Sequence, residues 1–286
     1  MRFLVLGASG MAGHTVSLYL SERGHDVVGF SRRGVPFLGE QVVGDARDEG
    51  LLRGAIERGG FDVVVNCVGV LNDFAERDPE GAAYLNGELP HVLARIAEGA
   101  GARVFHMSTD CVFAGNTGPY TEGSAPDGGT VYDRTKAAGE LRDGRNLTFR
   151  CSIVGPDTDP AGIGLLNWFM AQEGPVRGYT GAIWTGLTTL ELAKAMESAA
   201  AEGASGLVNM VPPASISKFD LLGLFNRELR GGSIEIVPDG SVRLDKTLVR
   251  TDFGCSFRPK DYAEQVAEMA DWVRAHADLY PHYKIG

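Results

Sequence analysis

Positive charge is scarce in this chain: 27 lysines and arginines face 37 aspartates and glutamates, a formal net charge of -10 over 286 residues. That balance excludes non-specific attraction to nucleic acid or to an anionic membrane surface, so any anionic ligand must meet a local cluster of cations. Cysteine is equally sparse. The four residues Cys67, Cys111, Cys151 and Cys255 stand far apart, with no CxxC and no metal-ligand spacing. They read as buried thiols in a reducing, cytoplasmic setting, and no metal site is expected. Long apolar runs are missing too, so no membrane span is predicted. The opening stretch has one early Arg and four apolar residues, but Gly7 follows too soon for a secretory signal, whose apolar region needs roughly 7–15 residues. With 44% hydrophobic and 22% charged residues the chain has the composition of a soluble globular protein, long enough for one or two domains.

What is present is a rhythm. Phe3 to Leu6 is a short apolar run ending in glycine, as a buried parallel strand requires, and Met11 to Leu20 carries apolar residues at helical spacing. Strands are predicted at Val27–Phe30, Val42–Val43, Val63–Val65, Val104–Met107 and Leu147–Phe149. Helices are predicted at Leu51–Ile56, Leu89–Ala97 and Tyr132–Leu141. Alternating strands and helices define an α/β fold, a Rossmann-type doubly wound parallel sheet. Beyond Cys151 the prolines and glycines break the rhythm. Helices are expected at Leu190–Ala201, Ser217–Leu229 and Tyr262–Ala275, with one more sheet strand at Leu207–Met210. The expected organisation is a nucleotide-binding domain over residues 1-152, to which 183-211 return. A smaller, partly interleaved C-terminal substrate lobe takes 153-182 and 212-286.

Three motifs carry chemistry. Gly7, Gly10 and Gly13, with Ser9 and Met11 between them, join the first strand to the first helix. Glycines there let the backbone approach a pyrophosphate, whose charge meets the free N–H groups of a helix N-terminus. At the end of the second strand stand Ser31, Arg32 and Arg33, with no acid from Val27 through Gly39. A site for NAD usually places an acid there for the ribose hydroxyl, whereas arginines pair with a 2′-phosphate, so NADP(H) is the expected cofactor. Asp45 and Ala46 after the third strand, and Cys67, Val68 and Gly69 after the fourth, sit where cofactors lie in such sheets, although Asp45 serves equally as a helix cap. The third motif is Ser108-Thr109-Asp110 followed by Tyr132 and Lys136, four apart and therefore on one helix face. A neighbouring ammonium and an oxidised nicotinamide are both expected to lower the phenol's pKa from its ordinary value near ~10. Lys136 can also grip the nicotinamide ribose, and Thr109 can hydrogen-bond an oxygen on which negative charge develops.

The run His106 to Gly115, the run Val131 to Glu140, and the segments Arg150–Val154 and Tyr179–Leu187 resemble dTDP-4-dehydrorhamnose reductases, members of the extended short-chain dehydrogenase/reductase family. The GxxGxxG spacing is also the one that family uses. The resemblance implies reduction of a nucleotide-linked 4-keto-6-deoxy sugar by NADPH, for deoxysugar or surface-polysaccharide biosynthesis. It implies Thr109, Tyr132 and Lys136 as the catalytic triad, Asn86 as a support of the site, and Asp110, Cys111, Ile153 and Trp184 along the sugar pocket. Ile153 stands where family members often carry Trp, and Leu71 to Arg77 also departs from the pattern, which bears on which sugar is used. In relatives a basic residue of the C-terminal stretch holds the nucleotide diphosphate; here Lys246 and Arg250 lead the candidates, ahead of Arg243 and Arg258.

Two other classes use the same parts. Sugar-nucleotide epimerases share the triad but usually keep NAD, which the two arginines disfavour; dehydratases tend to have Thr-Asp-Glu where this chain has Thr109-Asp110-Cys111. A related non-catalytic subunit of methionine adenosyltransferase is the third reading, against which stands the intact Tyr132–Lys136 pair. A homodimer is compatible with the sequence. The six histidines read as packing or surface groups, and the tail from Tyr280 to Lys284 either docks on the body or frays.

Overall fold

The computed structural model describes residues 1–252 and 254–286. In its first strand, β1 (Arg2–Leu6), the period-two alternation sends Phe3 and Val5 into one core and Leu4 and Leu6 into another. The chain continues through α1 (Met11–Glu22), β2 (Asp26–Ser31), β3 (Glu40–Val43), α2 (Glu49–Gly59) and β4 (Val63–Asn66). Two short helices, α3 (Asn72–Arg77) and α4 (Pro79–Ala82), lead into a π-helical turn at Ala83–Glu88 and then α5 (Leu89–Gly99). β5 (Arg103–Ser108), α6 (Val131–Ala138) and β6 (Leu147–Arg150) follow. Next come β7 (Ser152–Val154), α7 (Leu165–Met170), β8 (Val176–Trp184), β9 (Gly186–Thr188), α8 (Thr189–Glu202) and β10 (Gly206–Asn209). The last elements are β11 (Ile216–Ser217), α9 (Lys218–Arg230), β12 (Ile236–Asp245) and α10 (Tyr262–Ala275).

Seven parallel strands form the main sheet in the order β10-β6-β5-β4-β1-β2-β3. The winding reverses between β1 and β4, so a crevice opens beyond their carboxyl ends, where ligands of such sheets bind. One face is covered by α1 and α8, whose Val16, Leu20, Leu192 and Met196 pack with Phe3, Val65 and Phe105. The other is covered by α2 and α5, through Leu52, Ile56, Leu93 and Ile96. A separate core joins α7, α9 and α10 around Trp184, Phe225 and Met269. No helix among the described residues is long and apolar enough to cross a membrane.

The structure departs from the sequence expectation in several places, α7, β7, β9 and β11 among the elements that were not expected. Helix α6 stops at Ala138 rather than Leu141, its C-cap Gly139 lying against the Asn86 carbonyl, which a Cβ would approach to 2.0 Å, and Glu140 beyond it is buried. Strands β8 and β12 were not expected, since Gly178, Gly181, Pro238 and Gly240 read as breakers. They pair in parallel with a register shift between Asp239 and Arg243. Their glycines admit close neighbours: a Cβ at Gly181 would lie 2.5 Å from the Val242 carbonyl, and one at Gly178 2.9 Å from Phe219 Cα. Helices α3 and α4 were also unforeseen, as each is shorter than two turns.

Candidate active site

The glycine loop is built on contacts that only hydrogen permits. Gly7 adopts φ +78°, and its N–H donates to the Phe30 carbonyl at 2.8 Å. A Cβ at Gly13 would lie 2.0 Å from the Gly7 carbonyl oxygen, so α1 rests directly on the turn. Gly10 is the N-cap; no side chain caps this helix end, and no acid lies in its first turn. Its free N–H groups face outward, with Ser9 and Gly10 exposed and Met11 half-buried. This fits a pyrophosphate. Arg32 and Arg33 extend exposed beyond β2, where the Ser31 hydroxyl donates to the Arg33 carbonyl at 2.6 Å, and neither forms an ion pair among the described residues. Such arginines fit a 2′-phosphate.

Asp45 does not cap α2. Its Oδ1 accepts the Arg47 N–H at 2.9 Å, while Asp48 caps the helix through Leu51. Ala46 is buried beside it. Cys67, Val68 and Gly69 leave β4 at the crevice, Val68 donating its N–H to Asn66 Oδ1 at 3.1 Å. Burial pushes the Cys67 thiol up to about 12, Lys136 opposing, so it remains a thiol.

Across the crevice, Thr109 follows β5 in extended conformation. Its hydroxyl donates to Asp110 Oδ1 (3.1 Å) and accepts the Cys111 N–H (3.2 Å), while Ser152 also donates to Asp110 Oδ1 at 2.9 Å. A reciprocal cap fixes the start of α6: Thr130 Oγ1 accepts the Asp133 N–H at 3.0 Å, and Asp133 Oδ2 accepts that of Thr130 at 3.1 Å. Tyr132 and Lys136 therefore occupy successive turns, only 8% and 5% exposed. Lys136 Nζ donates to the Met107 carbonyl at 2.5 Å. Burial lowers its pKa to about 8, with Glu140 and Cys67 opposing.

Without a nicotinamide beside it, Tyr132 does not show the lowered pKa expected from Lys136. Burial, reinforced by Cys111 and by Asp110 and Asp133, holds its phenol well above the ordinary value, and the Thr109 hydroxyl opposes this only in part. The Lys136 ammonium is turned toward β5, where it donates to the Met107 carbonyl. Tyr132 is thus a neutral acid in the free protein.

Two buried clusters hold this arrangement. Asn86, wholly buried in the π-helical turn, accepts the Val70 N–H at 2.8 Å and donates to the Val70 carbonyl (2.9 Å) and Thr135 Oγ1 (3.1 Å). It clamps the loop after β4 to α6, and such turns recur at functional sites. Glu140 accepts from Arg150 at two 2.7 Å contacts and from Ser108 at 2.8 Å. Burial would raise its carboxyl, but these bonds hold it below the ordinary value.

The C-terminal side contributes a residue that the sequence reading missed. Lys218 opens α9, its Nζ 4.9 Å from the centroid of the buried Trp184 ring. Burial lowers its pKa, while Asp110 and Cys111 favour its charge, so it faces the site; it forms no ion pair among the described residues. Ser217-Lys218 read only as a helix cap, and nothing local signalled more. Lys246 packs its stem against Gly115, where a Cβ would lie 2.9 Å from Lys246 Cγ, and its charge acts on Cys111. A cleft of about 490 Å³ lined by Gly115, Thr180, Arg243 and Asp245 opens beside it. Ile153 lies half-buried on β7. Arg250 does not join them. Its guanidinium donates to the carbonyls of Asp252 (2.9 Å), Cys255 and Phe257 (2.6 Å each), fastening that loop, so its expected part in holding a diphosphate is withdrawn.

A glycine loop at the switch point of a doubly wound sheet, facing Thr109, Tyr132 and Lys136, is the arrangement of extended short-chain dehydrogenases/reductases. Within that class the chain belongs to the RmlD substrate binding domain family, which matches residues 1–153. It is 38% identical over 141 residues to dTDP-4-dehydrorhamnose reductase of Streptomyces griseus, covering 49% of this chain and 43% of that protein. It is 32% identical over 142 residues to methionine adenosyltransferase 2 subunit beta of Xenopus laevis, covering 49% and 41%. The matched stretch thus spans less than half of these relatives. Its fold is similar to that of dTDP-4-dehydrorhamnose reductase from Bacillus anthracis in complex with NADP, with a TM-score of 0.78 at 17% identity over 94% of this chain and 98% of that one.

Proposed function

We propose that the protein is an NADPH-dependent reductase of a nucleotide-linked 4-keto-6-deoxy sugar. The observation that carries this reading is the convergence of Thr109, Tyr132 and Lys136 on a crevice whose opposite wall is an uncapped glycine-loop helix with two exposed arginines nearby. Residues 1-152 with 183-211 hold the cofactor, and 153-182 with 212-286 hold the substrate. The glycine loop binds the pyrophosphate, Ser31, Arg32 and Arg33 the adenosine 2′-phosphate, and Asp45 to Ala46 and Cys67 to Gly69 line the groove between.

Bound NADPH supplies the hydride. Tyr132 gives its proton to the sugar oxygen, and its raised pKa keeps that proton on the phenol at neutral pH, the form a reduction needs. Thr109 orients the oxygen by a hydrogen bond. Lys136 supplies positive charge one turn away, and Asn86 keeps the loop after β4 and α6 in register. Lys218 and Lys246 meet the diphosphate, the local cations that a chain of net charge -10 must provide. Asp110, Cys111, Ile153 and Trp184 border the sugar.

The similarity to a methionine adenosyltransferase subunit favours a second reading, a non-catalytic NADP-binding partner. NADPH oxidation with dTDP-, UDP- and GDP-linked 4-keto-6-deoxy sugars separates the two. Turnover with one of them, lost by about 10²–10⁴-fold in Tyr132→Phe, is expected. Tight NADPH binding with no oxidation on any sugar favours the subunit.

A further inference from the structure

The tail of the chain is wired to the glycine loop. His14 is wholly buried on α1, its Nδ1 3.0 Å from the Gly10 carbonyl and its Nε2 2.8 Å from the Tyr280 hydroxyl. A carbonyl only accepts, so Nδ1 carries the proton, Nε2 accepts, and Tyr280 donates. Burial lowers His14 to about 4, which keeps the ring neutral and this tautomer in place at physiological pH. From the other side, Trp272 Nε1–H reaches the Tyr280 oxygen at 3.4 Å. Donation therefore runs in one direction, from Trp272 through Tyr280 and His14 to Gly10.

The Gly10 carbonyl shares a peptide unit with the Met11 N–H, one of the free donors at the start of α1. That carbonyl already accepts the helical N–H of His14 at 2.9 Å, and the imidazole adds a second bond. Two donors on one oxygen polarise the peptide and fix the direction of its N–H. Tyr283, stacked on Tyr280 at 5.6 Å, accepts the Asp157 N–H at 2.9 Å. The loop from Asp157 runs on to Gly164, where a Cβ would lie 3.0 Å from Met11 Sδ. Tyr280 and Tyr283 thus anchor both sides of the space in front of Met11.

We propose that Tyr280 is a positioning residue for the cofactor pyrophosphate, acting through His14 on the Gly10–Met11 peptide. The inference rests on the reading that the protein binds NADPH. The test compares binding of NADPH and of 2′-AMP, which carries the phosphate assigned to Arg32 and Arg33 but no pyrophosphate, to wild type and Tyr280→Phe by calorimetry. Loss of one buried donor weakens NADPH about 3- to 10-fold, and leaves 2′-AMP within about two-fold. The double variant His14→Phe/Tyr280→Phe, which leaves no unpaired imidazole nitrogen and frees only the long Trp272 contact, carries the same expectation should the single variant fold poorly. Unchanged NADPH affinity, or equal weakening of both probes, overturns the positioning role. Wild-type protein that binds neither probe overturns the cofactor reading, and this inference with it.

Discussion

Replacing Lys136 by Met should make the cofactor-free protein more stable while abolishing its proposed chemistry. The ammonium is 5% exposed, and burial moves its pKa from 10.5 to about 8. At about 1.4 kcal/mol per pK unit, the charged form costs the native state roughly 3 kcal/mol at neutral pH. Met keeps the length and removes the charge. The substitution forfeits the bond to the Met107 carbonyl, about 1.5 kcal/mol or somewhat more for a charged donor. Glu140 is not orphaned, because Arg150, Arg142 and Ser108 still hold it. The net expectation is a gain of about 1–2 kcal/mol, or roughly 2–3 °C in Tm for a chain of this size. The sign with pH follows from the lowered pKa. Between about 8 and 10.5 the unfolded chain binds the proton that the native state has lost, so wild-type stability rises with pH through that window. Below about 8 the penalty is present in full, and the advantage of the Met variant shrinks as the pH is raised above it. Denaturant unfolding without cofactor, at about pH 7 and again near pH 9.5, measures both effects. A Met variant less stable than wild type by about 1 kcal/mol, with a gap that ignores pH, would refute the reasoning.

Arg32→Ala should lower the NADPH over NADH preference about ten-fold or more, since a charge-assisted bond contributes about 1.5–3 kcal/mol; equal weakening of both cofactors would make the arginine structural. Lys218→Met and Lys246→Met should each raise KM for the nucleotide sugar with kcat little changed, the signature of lost uniform binding, and leave reduction of a small nucleotide-free ketone untouched. Unchanged KM in both variants would remove the diphosphate from this side of the site. Arg250→Ala should instead lower Tm without moving KM, because its bonds go to backbone carbonyls of its own loop.

Elements governed by local rules were legible in the sequence. The apolar run at Phe3–Leu6, the glycines at 7, 10 and 13 and the four-residue spacing of Tyr132 and Lys136 each follow from short-range geometry, and the structure brings the glycines and that pair to one crevice. What escaped depends on tertiary partners. Gly181 and Gly178 look like strand breakers until Val242 and Phe219 pack against them. Lys218 is an unremarkable first residue of a helix until Trp184 lies beneath it. Arg250 resembles a free cation until the following loop folds back onto it. The phenol of Tyr132 is the subtlest case: spacing puts a lysine on its helix face, but the direction of that lysine's ammonium, toward the Met107 carbonyl, is a property of the packed sheet. His14, read with the other histidines as a packing or surface group, is buried, yet one of its ring bonds reaches a residue 266 positions away.

The central claim is that hydride passes from NADPH to a sugar ketone with Tyr132 as acid. Its most direct test uses NADPH carrying deuterium on the transferring carbon of the nicotinamide, incubated with the best 4-keto-6-deoxy nucleotide sugar and analysed by mass spectrometry and NMR. The account predicts one deuterium at C4 of the product for each NADPH consumed, with the labelled product formed about 10²–10⁴-fold more slowly in Tyr132→Phe under the same conditions. Product formed without NADPH consumption would make the protein an epimerase, and NADPH bound but never consumed would make it a binding subunit; either contradicts the claim.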